Sequence, residues 1–224
     1  MKAVRQLFIS LAVTVFFLGV LLVCAGRLNY WPAWAYTAIA VLANIFTRLI
    51  LRNDPDLARE RAKPGAGAQS WDKALLGISL LLTLAMLVVA GLDSGRFHWT
   101  PRLSWIASIV GIVLNLAAMI VFLLALKENR FFSAVVRLQT DRGQTVCNTG
   151  PYAVVRHPGN AGMILGTIGF PLLFMSAWCA IPALLSVIVI IVRTHLEDVL
   201  LATELAGYRD YQQATRFRLA PGVW

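Results

Sequence analysis

Charged and imidazole side chains in the last third of the chain have the types and spacing needed to bind charged ligands. Arg193 and Glu197 are four residues apart, so on a helix they share one face. A guanidinium on that face binds a carboxylate or phosphate, and a carboxylate binds a cation. Spacing alone also fits a surface ion pair worth about 0.3–0.5 kcal/mol. His157 precedes Pro158 between a polar loop and an apolar stretch, a place that suits a ligand contact or an ordinary interfacial histidine.

The elements that position these side chains are predicted to cross a membrane. Apolar residues make up 58% of the chain and charged residues 14%, whereas soluble domains have about 25% charged residues. Four stretches of the chain contain no charged residue: Leu7 to Ala25, Leu28 to Thr47, Ala74 to Leu92 and Leu103 to Leu126. The length of each is close to the roughly 20 residues that a helix needs to cross the hydrocarbon core.

A fifth charge-free stretch, from Gly159 to Val192, is too long for one span and short for two. We predict a helical hairpin, broken near Gly169, Pro171 and the Ser176 to Trp178 segment, with a second weak point at Pro182, because proline removes a backbone donor. The fold class is therefore an all-α, polytopic transmembrane helical bundle. It is predicted to divide into a four-helix part, residues 1–126, and a part with a loop, the hairpin and a tail, residues 127–224.

The distribution of positive charge orients this bundle. If the N-terminus is cytoplasmic, 17 of the 20 lysines and arginines, Lys2 and Arg5 among them, lie in cytoplasmic segments. The other three are Arg27, Arg96 and Arg102. Since cytoplasmic loops accumulate Lys and Arg, both termini are predicted to be cytoplasmic, in a plasma (inner) membrane rather than the endoplasmic reticulum.

The net charge of +9 follows the predicted membrane edge, where it attracts anionic lipid headgroups. The cluster from Arg59 to Lys63 is interpreted as an orientation signal, with lipid contact as a second role. Nucleic acid is not expected as a partner, because no reading module extends this charge. Cys24, Cys147 and Cys179 form no CxxC pair and have no histidine at ligand spacing, so no metal is expected.

The most informative region begins where the fourth predicted span ends. The chain from Asn129 to Gly150 is polar and rich in turn residues, and loops of this length are usually functional. The hairpin returns to the same predicted face at Arg193. Both ends of the hairpin thus carry polar chemistry to one surface.

Several short motifs follow one another in this region. They are Gln144-Thr145-Val146-Cys147, Gly150-Pro151-Tyr152, Arg156-His157-Pro158 with Gly162, and Arg193 to Glu197 with Gly207-Tyr208 and Tyr211. In this order they resemble the isoprenylcysteine carboxyl methyltransferase family, which includes phospholipid methyltransferase-like members. The specificity of the match comes from the order of the motifs, since Arg-His-Pro alone is a weak signal.

The resemblance implies a methyltransferase that uses S-adenosylmethionine and a lipidated or lipid-like acceptor. It implies cofactor contacts from Gln144, Thr145, Val146, Cys147, Tyr152, His157, Pro158, Gly159, Asn160 and Glu197, with Arg137, or nearby Gln139, at a polar family position upstream. Arg193 would contact the substrate carboxylate, so Arg193 and Glu197 are the implied catalytic pair. The family usually has tyrosine where this chain has Asn160.

The physical properties of the residues fit this implication. A carboxylate acceptor is ionised near neutral pH, so its methylation needs alignment more than a general base. The cofactor would enter from the cytosol and the acceptor sideways, between helices. Arg193 would fix the acceptor, and Glu197 would offset the positive charge of the cofactor.

Other interpretations stay open at this point. Methylation of a phospholipid headgroup amine would make Arg193 a phosphate partner, and a small transporter or non-catalytic scaffold belongs to another class. Against transport, the five apolar runs hold no charge, whereas ion pathways usually contain ionisable residues. Tyr208 and Tyr211 also fit an aromatic belt at the membrane surface, and Gly162 with Gly166 fits helix packing.

Overall fold

A computed structural model describes residues 2–101 and 104–224, and only the backbone of residues 2–7. The described chain is helical, without a strand. Its α-helices are α1 (Lys2–Ala25), α2 (Trp31–Arg52), α3 (Pro55–Ala62), α4 (Ser70–Ala90), α5 (Trp105–Glu128), α6 (Pro158–Leu173), α7 (Ala180–Glu204) and α8 (Tyr208–Ala214). The predicted charge contributions of Arg102 and of the Lys2 and Arg5 side chains, and the predicted run start at Leu103, lie outside the described residues.

Four helices of the described chain are long and apolar enough to cross a membrane. They are Phe8–Ala25, Trp31–Arg52, Ser70–Phe97 and Trp105–Glu128. The predicted all-α membrane bundle is confirmed. The helices extend beyond the charge-free runs because a charged side chain ends an apolar run without ending the backbone hydrogen bonding. Arg52, for example, still belongs to α2.

The helix of the third span continues through a π-helical segment, Gly91–Phe97, whereas the predicted run stops at Leu92. This continuation buries Asp93 completely. Asp93 Oδ1 accepts a hydrogen bond from the backbone N of Thr100 at 2.7 Å, and Oδ2 accepts one from Ser176 Oγ at 2.6 Å. The carboxylate therefore ties the end of this helix to the segment between α6 and α7.

The hairpin consists of α6 and α7, separated by residues 174–179. The break lies in the region predicted from the sequence. Pro171 lies inside α6, two residues before its end, and Pro182 lies in the first turn of α7, where proline is tolerated. At 1.5 Å per residue α6 is about 24 Å long, shorter than a hydrocarbon core of about 30 Å.

A short helix, α3, stands where the sequence analysis had only a basic segment. The Asp54 side chain accepts a hydrogen bond from the backbone N of Leu57 at 2.9 Å, and Pro55 opens the helix. Both residues suit a helix N-terminus. The helix was missed because it is only eight residues long and polar.

The chain forms two compact units. The first contains residues 1–45, 79–119 and 164–187, and the second contains residues 46–78, 120–163 and 188–224. Each of α2, α4, α5, α6 and α7 contributes residues to both units. The predicted division at residue 126 follows the order of the sequence and stays a prediction.

Aromatic and aliphatic side chains form the core of the first unit. Tyr36 packs edge-on against Phe170 at 5.0 Å between ring centroids, and Phe170 lies 4.4 Å from Phe174. Tyr30 donates a hydrogen bond from its hydroxyl to the carbonyl O of Ala90 at 3.0 Å. The buried polar end of Tyr30 is thereby satisfied by the backbone of α4.

Close packing of α5 against α6 in the first unit gives a test of this core. A Cβ atom on Gly111 would lie 2.2 Å from the backbone N of Leu173. We expect Gly111→Ala to lower the thermal unfolding midpoint in detergent, because overpacking costs about 1–3 kcal/mol or more. Gly77→Ala is the control, since nothing lies within 4 Å of its Cβ position. Equal midpoints for the two variants would contradict the described packing.

Candidate functional site

A pocket open to solvent lies in the second unit. Its walls come from the loop after α5, the start of α6, the last turns of α7 and the start of α8. Of the residues predicted for the site, it is lined by Arg137, Gln139, Gln144, Thr145, Val146, Cys147, Tyr152, His157, Gly159, Asn160, Arg193 and Glu197. Pro158 does not line the pocket and opens α6. The pocket brings together lining residues as far apart in the sequence as Asn129 and Tyr211.

The predicted pair on α7 shares one face but does not form a close ion pair. Arg193 Nη1 lies 3.9 Å from Glu197 Oε2. The amide of Asn160 lies between them: its Oδ1 accepts a hydrogen bond from Arg193 Nη1 at 3.1 Å, and its Nδ2 donates one to Glu197 Oε2 at 3.2 Å. The Glu197 side chain keeps 25% of its surface exposed, so its carboxylate is accessible from the pocket.

Asp72, which the sequence analysis missed, is the close partner of Arg193. Its Oδ1 accepts a hydrogen bond from Arg193 Nε at 2.7 Å, and its Oδ2 accepts one from the backbone N of Val136 at 2.7 Å. The Asp72 side chain is fully buried in the first turn of α4. An acidic residue just before an apolar run was the available signal, but it also marks an ordinary helix start.

A second buried carboxylate, Asp198, organises the wall that contains Arg156, His157 and Tyr208. It accepts hydrogen bonds from Arg156 Nε and Nη2 at 2.8 and 3.0 Å, from the Tyr208 hydroxyl at 2.9 Å and from Arg218 Nε at 2.9 Å. His157 Nε2 lies 3.1 Å from Asp198 Oδ1. Burial alone would raise the pKa of Asp198, but the hydrogen bonds from His157, Arg156 and Arg218 outweigh it and hold that pKa far below its usual range.

His157 connects two adjacent acidic residues of α7, Glu197 and Asp198. Its Nδ1 lies 3.7 Å from Glu197 Oε2, while its Nε2 faces Asp198. The ring is buried, so it has little freedom to turn. Asp198 thus fixes the imidazole in contact with the pocket carboxylate.

The C-terminal tail closes this wall through its backbone. The backbone N of Arg156 donates to the carbonyl O of Phe217, and that of His157 to the carbonyl O of Arg218, both at 2.9 Å. Arg156 Nη1 also donates to the carbonyl O of Thr215 at 2.8 Å. The tail therefore helps to hold the His157 backbone, a role that the motifs did not show.

Arg137 forms part of the wall with its charge already compensated. Its Nε and Nη2 donate to the two oxygens of Glu60 at 2.8 and 2.7 Å, and its Nη1 donates to Asp141 at 2.8 Å. The hydrogen bonds from Arg137 lower the pKa of Glu60, and those to Glu60 and Asp141 raise the pKa of Arg137. A direct cofactor contact by Arg137 stays a prediction.

The same loop is folded by two glutamines. Gln144 Oε1 accepts a hydrogen bond from the backbone N of Gln139 at 2.7 Å, and Gln139 Nε2 donates to the carbonyl O of Phe131 at 2.6 Å. Arg142 donates to Gln139 Oε1. These bonds close the turn that leads residues 145–147 along the pocket.

The ion pair of Glu60 with Arg137 predicts a dependence of stability on pH. Because the folded-state pKa of Glu60 is lowered from 4.5, the pair contributes fully above about pH 4.5 and is lost as the pH falls through the folded value. We expect Glu60→Gln to lower the unfolding midpoint at pH 7, with a smaller difference from the unsubstituted protein at pH 4. Thermal scans at both pH values in one detergent measure this. The control is Asp56→Asn, whose carboxylate is exposed; a difference that is the same at both pH values would contradict the prediction.

Tyr152, Tyr208 and Tyr211 form one wall of the pocket. Val146 and Cys147 pack against them. The Tyr211 hydroxyl donates to the carbonyl O of Tyr152 at 2.6 Å, and the Tyr208 and Tyr211 rings pack edge-on at 5.5 Å. Burial raises the pKa of all three hydroxyls, so they remain donors at neutral pH. Tyr208 and Tyr211 are buried in this wall, which does not fit an aromatic belt facing lipid headgroups.

Gly159 allows a close approach at the start of α6. A Cβ atom on this residue would lie 2.7 Å from the ring of Phe132, which also lines the pocket. A side chain at this position would force the Phe132 ring to shift. The glycine at this predicted cofactor position therefore also has a packing reason.

The arrangement suits a ligand with both charged and apolar parts. An accessible carboxylate, an arginine and an imidazole lie next to a wall of tyrosines, and Leu201 and Leu205 add aliphatic surface. Within residues 2–101 and 104–224, no group of three histidine, cysteine or acidic side chains has the arrangement of a metal site. The pocket therefore offers a carboxylate to a cation and a guanidinium to an anion, beside an apolar surface.

Comparison with known proteins supports the interpretation of the motifs. The family model described as the Isoprenylcysteine carboxyl methyltransferase (ICMT) family matches residues 105–203. No curated protein matches the chain. The matched segment contains α5, α6 and nearly all of α7, and with them every predicted site residue. Residues 105–203 thus match the isoprenylcysteine carboxyl methyltransferase family, as their motifs predicted.

Proposed function

We propose that this protein transfers a methyl group from S-adenosylmethionine to a carboxylate of a lipidated, isoprenylcysteine-like or lipid-like acceptor. The family domain and the four apolar helices support a membrane methyltransferase in general. The observation that carries the finer proposal is the separated pair of Arg193 and Glu197 in one pocket. A separated pair offers a cation and an anion to two different ligands.

The residues present fit the proposed cofactor. When bound, S-adenosylmethionine supplies an activated methyl group on a sulfonium cation. Glu197 offers a partly exposed carboxylate to a cation, and the Asn160 amide and the His157 ring restrict its position. Tyr152 and Val146 provide an apolar wall that excludes water. This donor set suits a cationic ligand with a flat or apolar portion.

Arg193 fits the proposed acceptor because part of its guanidinium is unused. Its Nε and Nη1 have partners, whereas Nη2 donates to no described residue. Every buried polar side-chain atom of the described residues has a hydrogen-bond partner, so Nη2 keeps some solvent access, and Arg193 lines the pocket. A carboxylate bound there is ionised at neutral pH and needs orientation rather than a base. The aliphatic surface of Leu201 and Leu205 suits a lipid chain.

We also propose that both termini and the pocket face the cytosol, across a plasma (inner) membrane. The charge asymmetry of the sequence supports this orientation. Single-cysteine reporters at two basic positions, Lys63→Cys and Arg27→Cys, test it on sealed vesicles with an impermeant thiol reagent. With the cytoplasmic side enclosed, only the reporter at position 27 should react. Labelling at position 63 alone would reverse the orientation.

The first test of the proposed function is calorimetric titration of the purified protein with S-adenosylmethionine in detergent and lipid. Binding is expected; its absence would leave a small transporter or a non-catalytic scaffold. Labelled methyl transfer to a prenylcysteine mimic or to phosphatidylethanolamine then identifies the acceptor. Transfer to the prenylcysteine mimic is expected. Transfer to phosphatidylethanolamine alone would make the protein a headgroup N-methyltransferase, with Arg193 as its phosphate partner.

The role of Glu197 gives a quantitative prediction. We expect Glu197→Gln to weaken S-adenosylmethionine binding about tenfold, because it loses a charged partner worth roughly 1.5 kcal/mol at a partly exposed site. Glu204→Gln removes an exposed carboxylate from the same helix and should leave the affinity unchanged. Calorimetric dissociation constants for the two variants measure the difference. Equal affinities would remove Glu197 from the cofactor site.

A further inference from the structure

Asp72 lies outside the segment that matches the family, yet it makes the shortest contact with Arg193. Its carboxylate receives Arg193 Nε on one oxygen and the backbone N of Val136 on the other, each at 2.7 Å. The carbonyl O of Val136 in turn accepts a hydrogen bond from the backbone N of Gln69 at 3.0 Å. The start of α4 is thus clamped to the pocket loop, and Asp72 has little freedom to follow Arg193 if that side chain turns.

Arg193 and Glu197 would pair closely without this competition. On a helix, oppositely charged side chains four residues apart are in reach of each other, and charge-assisted N···O contacts are about 2.7–2.9 Å long. Here the two groups stay 3.9 Å apart. Asp72 holds Arg193 through Nε, and the Asn160 amide occupies the space between the two charges.

Asn160 has the chemistry that this place requires. The group there must accept from a cation and donate to an anion, and an amide has one end for each. Its Nδ2 also donates to Thr194 Oγ1 at 3.1 Å, which fixes the plane of the amide. Asn160, which stands where the family usually has tyrosine, therefore has hydrogen-bond partners at both ends of its amide.

We propose that Asp72 is a positioning residue that, together with Asn160, holds Arg193 away from Glu197. The separation keeps the Glu197 carboxylate available to a cationic cofactor and Arg193 Nη2 available to an anionic acceptor. This inference rests on the proposed function, because it concerns how the same pocket serves two ligands. It adds a residue from outside the family segment to the site.

Removing the charge of Asp72 has a defined consequence in this geometry. A buried guanidinium that loses its carboxylate takes the nearest remaining anion, since an uncompensated buried charge is costly. That anion is Glu197, one helical turn further along α7. In Asp72→Asn the pair closes, and the cofactor has to compete with Arg193 for Glu197.

The test is a double-mutant cycle read by calorimetric binding of S-adenosylmethionine. We expect Asp72→Asn to weaken binding about five- to tenfold, within the range of coupling between contacting residues. Adding Arg193→Ala should restore the affinity to within about twofold of Arg193→Ala alone, because no cation is left to capture Glu197. A general disturbance of the fold would weaken the double variant at least as much as the single one.

Asp141→Asn is the matched control, since it removes a carboxylate from Arg137, another arginine of the pocket wall. Its effect should not change when Arg193→Ala is added. An unchanged affinity for S-adenosylmethionine in Asp72→Asn overturns the inference. So does a double variant, Asp72→Asn with Arg193→Ala, that binds no more tightly than Asp72→Asn. If the unsubstituted protein does not bind S-adenosylmethionine, the proposed function itself fails.

A second cycle covers the case in which Asp72→Asn does not fold, as judged by its thermal unfolding. Asn160→Ala removes the amide that lies between Arg193 and Glu197. We expect weaker binding in this variant and recovery when Arg193→Ala is added. Loss of affinity without recovery would show that Asn160 acts only as a direct cofactor contact, and the inference would fall.

Discussion

Arg193→Ala is expected to reduce methyl transfer about 100-fold or more while the affinity for S-adenosylmethionine stays within about threefold of its original value. The rate loss follows from removing the cation that orients the acceptor carboxylate, and a 100-fold loss corresponds to about 2.7 kcal/mol of transition-state stabilisation. The affinity survives because Arg193 makes no close contact with Glu197, the proposed cofactor partner. Transfer rates with a prenylcysteine mimic and calorimetric binding measure the two quantities separately.

The control for this prediction addresses the carboxylate that Arg193→Ala leaves behind. Asp72 would stay buried with only the backbone N of Val136 as its partner. In Arg193→Ala combined with Asp72→Asn both charges are absent, so the rate loss should persist while the unfolding midpoint recovers. A variant that loses cofactor binding but keeps the rate at saturation would reverse the roles of Arg193 and Glu197.

Asp198→Asn is expected to lower the free energy of unfolding by about 3–5 kcal/mol, because it leaves Arg156 and Arg218 without their buried counter-charge. The loss should release the tail, whose backbone bonds depend on the position of Arg156. Cleavage by trypsin at Arg216 and Arg218 should therefore become faster. Thermal unfolding in detergent and limited proteolysis followed by mass spectrometry measure the two effects.

Asp210→Asn is the matched control, since Asp210 is an exposed acidic residue of α8. It should change neither the midpoint nor the cleavage pattern. Because the folded-state pKa of Asp198 is depressed, the unsubstituted tail should stay protected above pH 4 and become less stable only as the pH falls further. Equal protease resistance of Asp198→Asn and Asp210→Asn would contradict the proposed anchoring.

One turn of α7 carries both the pocket carboxylate and the carboxylate that anchors the tail. Adjacent positions on a helix point about 100° apart. Glu197 therefore faces the pocket while Asp198 faces the tail and the Arg156 side chain. His157 lies between them and contacts both. The helix thus couples the order of the tail to the position of the proposed cofactor partner.

The sequence by itself determined the parts of this protein that depend on local pattern. Charge-free runs of span length predicted the apolar helices, because the hydrocarbon core sets the length of a spanning helix. The ordered motifs predicted the family that residues 105–203 match, and all but one of the site residues predicted from them, Pro158, line the pocket. Arg193 and Glu197 share a face because helical periodicity places every fourth residue on one side.

Only the tertiary structure decided which charges meet. Asp72 precedes Arg193 by 121 positions, and Glu60 precedes Arg137 by 77, so no local pattern links either pair. Asp72 lies in the first turn of α4, where an acidic residue fits an ordinary helix start, and Glu60 lies in the short helix α3. The choice between a closed pair and a separated pair on α7 depends on Asp72 and Asn160, which approach from other elements. Helical periodicity brings the two charges to one face, and packing keeps them apart.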